Sequence, residues 1–99
     1  MKSGYSIKWT SHALKELEQT ISYLQENFSD KEINKLALKI EKTLNLIEQN
    51  PFIFPKTDFL NTYKVIVLKY NTLYFRVLNH DIQILSFFSN RQSIEKTKL

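Results

Sequence analysis

Apolar residues recur at three- and four-residue steps through two successive segments with almost nothing between them. Leu14, Leu17, Ile21, Leu24 and Phe28 form the first stripe, and Ile33, Leu36, Ile40, Leu44 and Ile47 the second. Such spacing lays one apolar face along an α-helix. Thr10 and Ser11 stand before the first stripe as N-cap candidates, and Lys15, Glu16, Glu18, Gln19 and Gln25 fall on its polar side. The spacing predicts a helix over 11–28. Ser29-Asp30-Lys31-Glu32 then reads as a capping box, with the Ser29 hydroxyl accepting from the Glu32 amide. Asn50-Pro51 ends the second helix, because Asn tolerates a left-handed cap and Pro cannot continue the ladder. Ala37 offers close approach. Two helices so tightly joined must turn back on each other as an antiparallel hairpin.

The rest of the chain carries a different period. Tyr5-Ser6-Ile7-Lys8-Trp9 alternates apolar and polar residues, as a short half-buried strand does. Thr62–Lys69, Thr72–Leu78 and Ile82–Ser89 are three further strand signals. Tyr70-Asn71 and Asn79-His80-Asp81 are the turns between them, with Asn71 expected at positive φ. Connections this short dictate an antiparallel meander. Between hairpin and meander, residues 51–61 hold two prolines and scattered aromatics, a loop pinned to the body of the domain. The tail from Asn90 to Leu99 is polar and basic, either a short helix or a frayed end. The order strand, helix, helix, strand, strand, strand predicts a two-layer α+β fold over one domain, 1–99. The first strand pairs with a member of the meander that spacing does not identify.

Composition narrows the chemistry. There is no cysteine, so disulfides and thiolate metal sites are excluded, and two histidines do not make a multi-His site. No cofactor is expected. No run approaches ~20 apolar residues, so no membrane association is expected and a cytoplasmic location is. Charge is unevenly placed. Seven lysines balance seven acids in residues 1–50, whereas residues 51–99 carry seven Lys and Arg against three acids. A basic half-domain suits an anionic partner, either nucleic acid or an acidic protein.

Each meander strand divides into two alternating sets. They are Tyr63, Val65, Val67 against Lys64, Ile66, Leu68; then Leu73, Phe75, Val77 against Tyr74, Arg76, Leu78. In the last strand Ile82, Ile84, Ser86, Phe88 oppose Gln83, Leu85, Phe87, Ser89. No set is plainly polar, and one helical hairpin covers one face. The other face is therefore apolar and aromatic, dotted with Lys64, Tyr74 and Arg76. It either binds a partner or is folded over by the loop 51–61 with Phe52, Phe54 and Phe59.

No Ser/His/Asp grouping, glycine-rich phosphate loop or metal-ligand spacing occurs. His12 and His80 read as surface residues. Lys64, Arg76 and Arg91 are the notable cations. Together they suit a phosphate or a phosphorane-like transition state; singly, Arg76 suits an inter-strand ion pair and Arg91 a cap on the sheet edge.

The ordered set resembles the RelE/ParE superfamily of toxins from bacterial type II toxin–antitoxin systems. The residues that carry it are Tyr5-Ser6-Ile7-Lys8-Trp9 with Ala13, the helical hairpin, Asn50-Pro51, Tyr63-Lys64-Val65, Leu73-Tyr74-Phe75-Arg76-Val77 and Phe88-Ser89-Asn90-Arg91-Gln92. The resemblance implies a toxin neutralised by a cognate antitoxin, as a heterocomplex or with homodimerisation. Its RelE-like branch cleaves ribosome-bound mRNA with Arg, Lys and a late Tyr or His; its ParE-like branch poisons DNA gyrase. Lys64 and Arg91 match basic positions of the ribonuclease branch, but Thr72 and Thr97 stand where its arginine and tyrosine fall. Ser93 replaces a nearby proline. Leu73-Tyr74-Phe75-Arg76-Val77 is closer to the ParE-like pattern. The implied partner-binding set is Lys64, Ile66, Leu68, Tyr74, Arg76 and Arg91, and an mRNA endoribonuclease would act through Lys64, Arg76 and Arg91.

Overall fold

The computed structural model describes residues 5–59, 61–69 and 71–89. Strand β1 spans Ser6–Trp9, helix α1 Ser11–Asn27 and helix α2 Asp30–Gln49. A 3-10 turn, Pro51–Ile53, leads to strands β2 (Thr62–Leu68), β3 (Asn71–Leu78) and β4 (Asp81–Ser89). The four strands form one sheet in the order β1-β4-β3-β2. The meander pairs antiparallel as expected, and β1 joins it parallel to β4, with Ile7 opposite Ile82 and Trp9 opposite Ile84. The α+β fold, a first strand, a helical hairpin and a three-stranded meander, is the one the periodicities predict.

Local chemistry sets the helix ends, not always as anticipated. Thr10 caps α1, its Oγ1 accepting the Ala13 N–H at 3.2 Å. Ser29 makes no side-chain cap bond; its carbonyl accepts the Glu32 N–H at 3.0 Å instead. Asn50 ends α2 in an extended conformation (φ −158°, ψ 87°) rather than a left-handed one. Its side chain accepts from the Phe52 N–H at 3.3 Å, so it caps the 3-10 turn that Pro51 begins. Asn71 is also corrected: it is the first residue of β3, while Asn61 (φ 54°) and Asn79 (φ 56°) take the positive φ. Ala37 is exposed.

Both helices lie on one side of the sheet, α1 against β4 and α2 against β2. Ala13, Thr20, Leu24, Leu36, Thr43 and Ile47 are buried between the layers with Leu73, Phe75, Ile82, Ile84 and Phe87. The buried line of α1 runs through Ala13 and Thr20, so Leu14 of the apolar stripe is left exposed. Thr20 is accommodated because its hydroxyl donates to the Glu16 carbonyl at 2.9 Å. Aromatic packing fixes the loop after α2. Tyr63 stacks on Phe75 with centroids 5.3 Å apart, Phe54 meets Phe75 edge-on at 6.0 Å, and Phe52 meets Tyr63 at 5.9 Å. Such contacts add to simple area burial.

Candidate functional site

The described residues of the loop, 51–59 and 61, do not seal the second face. Phe52 and Phe54 turn to the aromatic cluster on the helix side, and Phe59 stands 75% exposed at the rim of the opposite side. Among the described residues, nothing covers that second face of the sheet.

Register assigns the occupants of that face. Lys64 lies opposite Tyr74, Thr62 opposite Arg76, and Arg76 opposite Gln83. Side chains two residues apart on a strand share a face, so Lys64, Tyr74 and Arg76 are mutual neighbours, the diagonal pair about 7–8 Å apart. Ile66, across from Thr72, extends the surface and is 67% exposed. Leu68 is not on it. The pairing slips between Ile66 and Leu68, and such a bulge turns two successive residues to one side. Leu68 consequently packs on the core beside Leu24 and Leu36. Arg91 and the tail 90–99 lie outside the described residues.

A second bulge reshapes β4. Tyr74 pairs with Ser86 but Phe75 pairs with Ile84, leaving Leu85 as the extra residue. Simple alternation put Phe87 on the same face as Gln83 and put Ser86 with Ile84; the extra residue reverses both. Phe87 is buried with Ile82 and Ile84, and Phe88 is partly exposed on the other side.

Leu85 and Ser86, delivered by this bulge, form one wall of an open concavity of about 710 Å³. Tyr74, Arg76 and Leu78 form its floor and Phe59 its rim. Among the described residues no acid lines it, and Arg76 is the only cation that does. The Nε of Arg76 is buried without a hydrogen-bond partner among the described residues. Nor is Arg76 in an ion pair there; the described pairs are Lys8–Asp81 at 3.7 Å and His12–Glu16 at 3.4 Å. The inter-strand salt bridge considered for Arg76 is thus absent among described residues. A buried, unmatched guanidinium N–H is costly unless something arrives to accept from it.

Neither histidine reaches this concavity: His12 sits at the start of α1 and His80 in the β3–β4 turn. Among the described residues there is no group of His, Cys, Asp or Glu that could hold a metal, and no helix long and apolar enough to cross a membrane. Sequence reasoning overlooked Phe59, Leu85 and Ser86 as lining residues. Leu78 was visible, since it alternates in phase with Tyr74 and Arg76. Ser86 was not, because no residue type marks the bulge that turns it to this side.

Residues 7–94 match the profile of the ParE toxin of type II toxin-antitoxin systems, parDE. No curated protein matches the chain in sequence. Among solved structures, the chromosomal ParDE system of P. aeruginosa superposes with a TM-score of 0.73 at 18% identity, over 88% of this chain and 97% of that one. The YoeB dimer of Staphylococcus aureus gives 0.59 at 22% identity, over 85% and 94% of the two chains. The toxin–antitoxin complex DinJ-YafQ of E. coli gives 0.60 at 8% identity, over 90% and 96%. At these identities the structural likenesses speak for the fold, while the profile match spans nearly all of the chain. This protein belongs to the ParE toxin family of type II toxin–antitoxin systems.

Proposed function

We propose that the chain arrests growth by binding DNA gyrase through its uncovered sheet face and is neutralised by a cognate antitoxin protein. The observation that carries this reading is the character of the face. It combines a broad apolar surface (Ile66, Leu78, Leu85, Phe59) with few described cations, which suits a protein surface better than a phosphate chain. Family membership supports the toxin role, and structures such as the YoeB-YefM and DinJ-YafQ complexes support an antitoxin as partner. The test is supercoiling of relaxed plasmid by gyrase with increasing amounts of the purified protein. Loss of supercoiling together with growth arrest on expression is expected. Full supercoiling at excess protein, with growth untouched, overturns the reading.

A second reading is favoured by one observation, the adjacency of Lys64, Tyr74 and Arg76 on a single face. Two cations flanking an aromatic ring suit RNA, and an mRNA endoribonuclease would use them with Arg91. Among the described residues the concavity offers no histidine as a general base, and Tyr74 is the only aromatic hydroxyl lining it. Cleavage of mRNA in a translating extract, abolished by Arg91→Ala, supports this alternative; intact mRNA ends it.

A further inference from the structure

We infer that the concavity at Arg76 is a docking site for one carboxylate flanked by apolar side chains, carried on a segment of the antitoxin. The inference rests on the antitoxin-binding reading above and assigns that partner's contact chemistry.

Three observations converge on it. First, the Arg76 Nε is buried and unpartnered among the described residues, so the isolated chain holds a donor that its own described atoms do not satisfy. The Nε edge of a guanidinium, with the neighbouring Nη, presents two parallel N–H groups, the fork that matches a carboxylate. Second, the surroundings are Phe59, Leu78 and Leu85, with Tyr74 beside the arginine. An apolar wall lowers the local dielectric, which strengthens a matched ion pair and makes an unmatched one costly. Third, charge complementarity is one-sided. Among the described residues no acid lines the concavity, and the residue across the register from Tyr74 is a second cation, Lys64. A nucleic acid would bring phosphates into a mostly hydrocarbon pocket holding a single cation. A peptide brings one carboxylate together with the apolar neighbours that the walls require. The peptide is favoured.

The measurement uses the full chain and the protein encoded beside it, first intact and then as overlapping 15-residue synthetic peptides, read by fluorescence anisotropy. One peptide with Asp or Glu between apolar residues is expected to bind. Arg76→Gln is expected to weaken that peptide and the intact partner roughly 30-fold or more, as for other desolvated charge pairs. Changing the peptide's acid to its amide should weaken binding to the wild type equally, and add little in the Arg76→Gln background. Arg76→Lys, which keeps the charge without the fork, should restore only part of the loss. Phe59→Ser, at an exposed rim position that does not support the fold, gives a second arm and should weaken the peptide several-fold. If the intact partner fails to bind the wild type, the antitoxin reading itself falls and this inference with it. If the intact partner binds but Arg76→Gln and Phe59→Ser leave its affinity unchanged, only the docking assignment falls. Displacement of the peptide by a single-stranded oligouridylate, with Arg76-dependent RNA binding of similar strength, overturns it in favour of nucleic acid.

Discussion

Glu16 Oε1 accepts the backbone N–H of Phe87 at 2.8 Å, across the edge of β4 where β1 no longer covers it. The same oxygen accepts the Ser86 hydroxyl at 2.7 Å, and His12 Nε2 lies 3.4 Å away. Strand β1 ends at Trp9, opposite Ile84, so among the described residues β4 from Leu85 onward has no strand neighbour on that side. An open edge is a liability for edge-to-edge pairing. Helix α1 follows at once and lays Glu16 against it. The side chain read as a solvent-facing helix residue thus closes the sheet, and it holds the bulge that supplies a wall of the concavity.

Removing that acceptor leaves the Phe87 N–H and the Ser86 hydroxyl without their shared partner. Glu16→Ala is expected to lower stability by about 2–3 kcal/mol, in line with other bonds to charged groups. Glu16→Gln keeps an acceptor and should cost under about 1 kcal/mol. Urea unfolding at constant slope checks both. His12→Ala should change little, because the His12 side chain is largely exposed.

Phe75 joins the two layers. It is fully buried, stacked on Tyr63 and met edge-on by Phe54. Phe75→Ala should cost about 3–5 kcal/mol through lost burial and the cavity left behind. The same change is expected to loosen the loop after α2, visible as faster amide exchange at Thr57, whose N–H donates to the Thr62 carbonyl at 2.8 Å.

Arg76 separates stability from function. Arg76→Met removes a buried N–H that nothing described satisfies, so the isolated chain should become as stable or more stable, by up to about 1 kcal/mol. Growth arrest or antitoxin binding should nevertheless fall. Thermal unfolding beside a growth assay tests this, and a marked drop in midpoint would contradict it.

Ile66 is the strongest exposed apolar probe of the open face. Ile66→Asp should leave stability within about 0.5 kcal/mol, as is usual for exposed positions. Gyrase inhibition should be reduced at least tenfold in the supercoiling assay. Retained inhibition would remove this end of the face from the gyrase contact.

Asn79 holds the β3–β4 turn at φ 56°. Asn79→Ala should cost about 1 kcal/mol for an L-residue in the left-handed region. Asn79→Gly should be nearly neutral, so the pair of unfolding curves separates strain from lost side-chain contacts.

Particular residues show where legibility ended. The sets Leu73, Phe75, Val77 and Tyr74, Arg76, Leu78 were read correctly, because β3 contributes one residue per pairing step against both neighbours' phases. Leu68 and Phe87 were misassigned for one shared reason. Each lies beyond a bulge, and a single extra residue inverts every later assignment of side. Lys64, Ile66, Tyr74 and Arg76 were correctly grouped, since all precede the slip in their strands or lie in β3.

The sequence by itself determined the elements, their order and a second sheet face too apolar for the helical hairpin to explain. Those follow from interactions between near neighbours: helical and strand periods, Thr10 as a cap, Pro51 as a stop, and connections too short for any course but antiparallel. Only the tertiary structure decided that β1 pairs parallel with β4, that Glu16 closes the exposed edge, and that Leu85 bulges into a wall beside Arg76. The first two depend on contacts between residues about seventy positions apart, and the third on a slip between neighbouring strands; their free energies arise only once the layers pack. Local pattern carries no record of them.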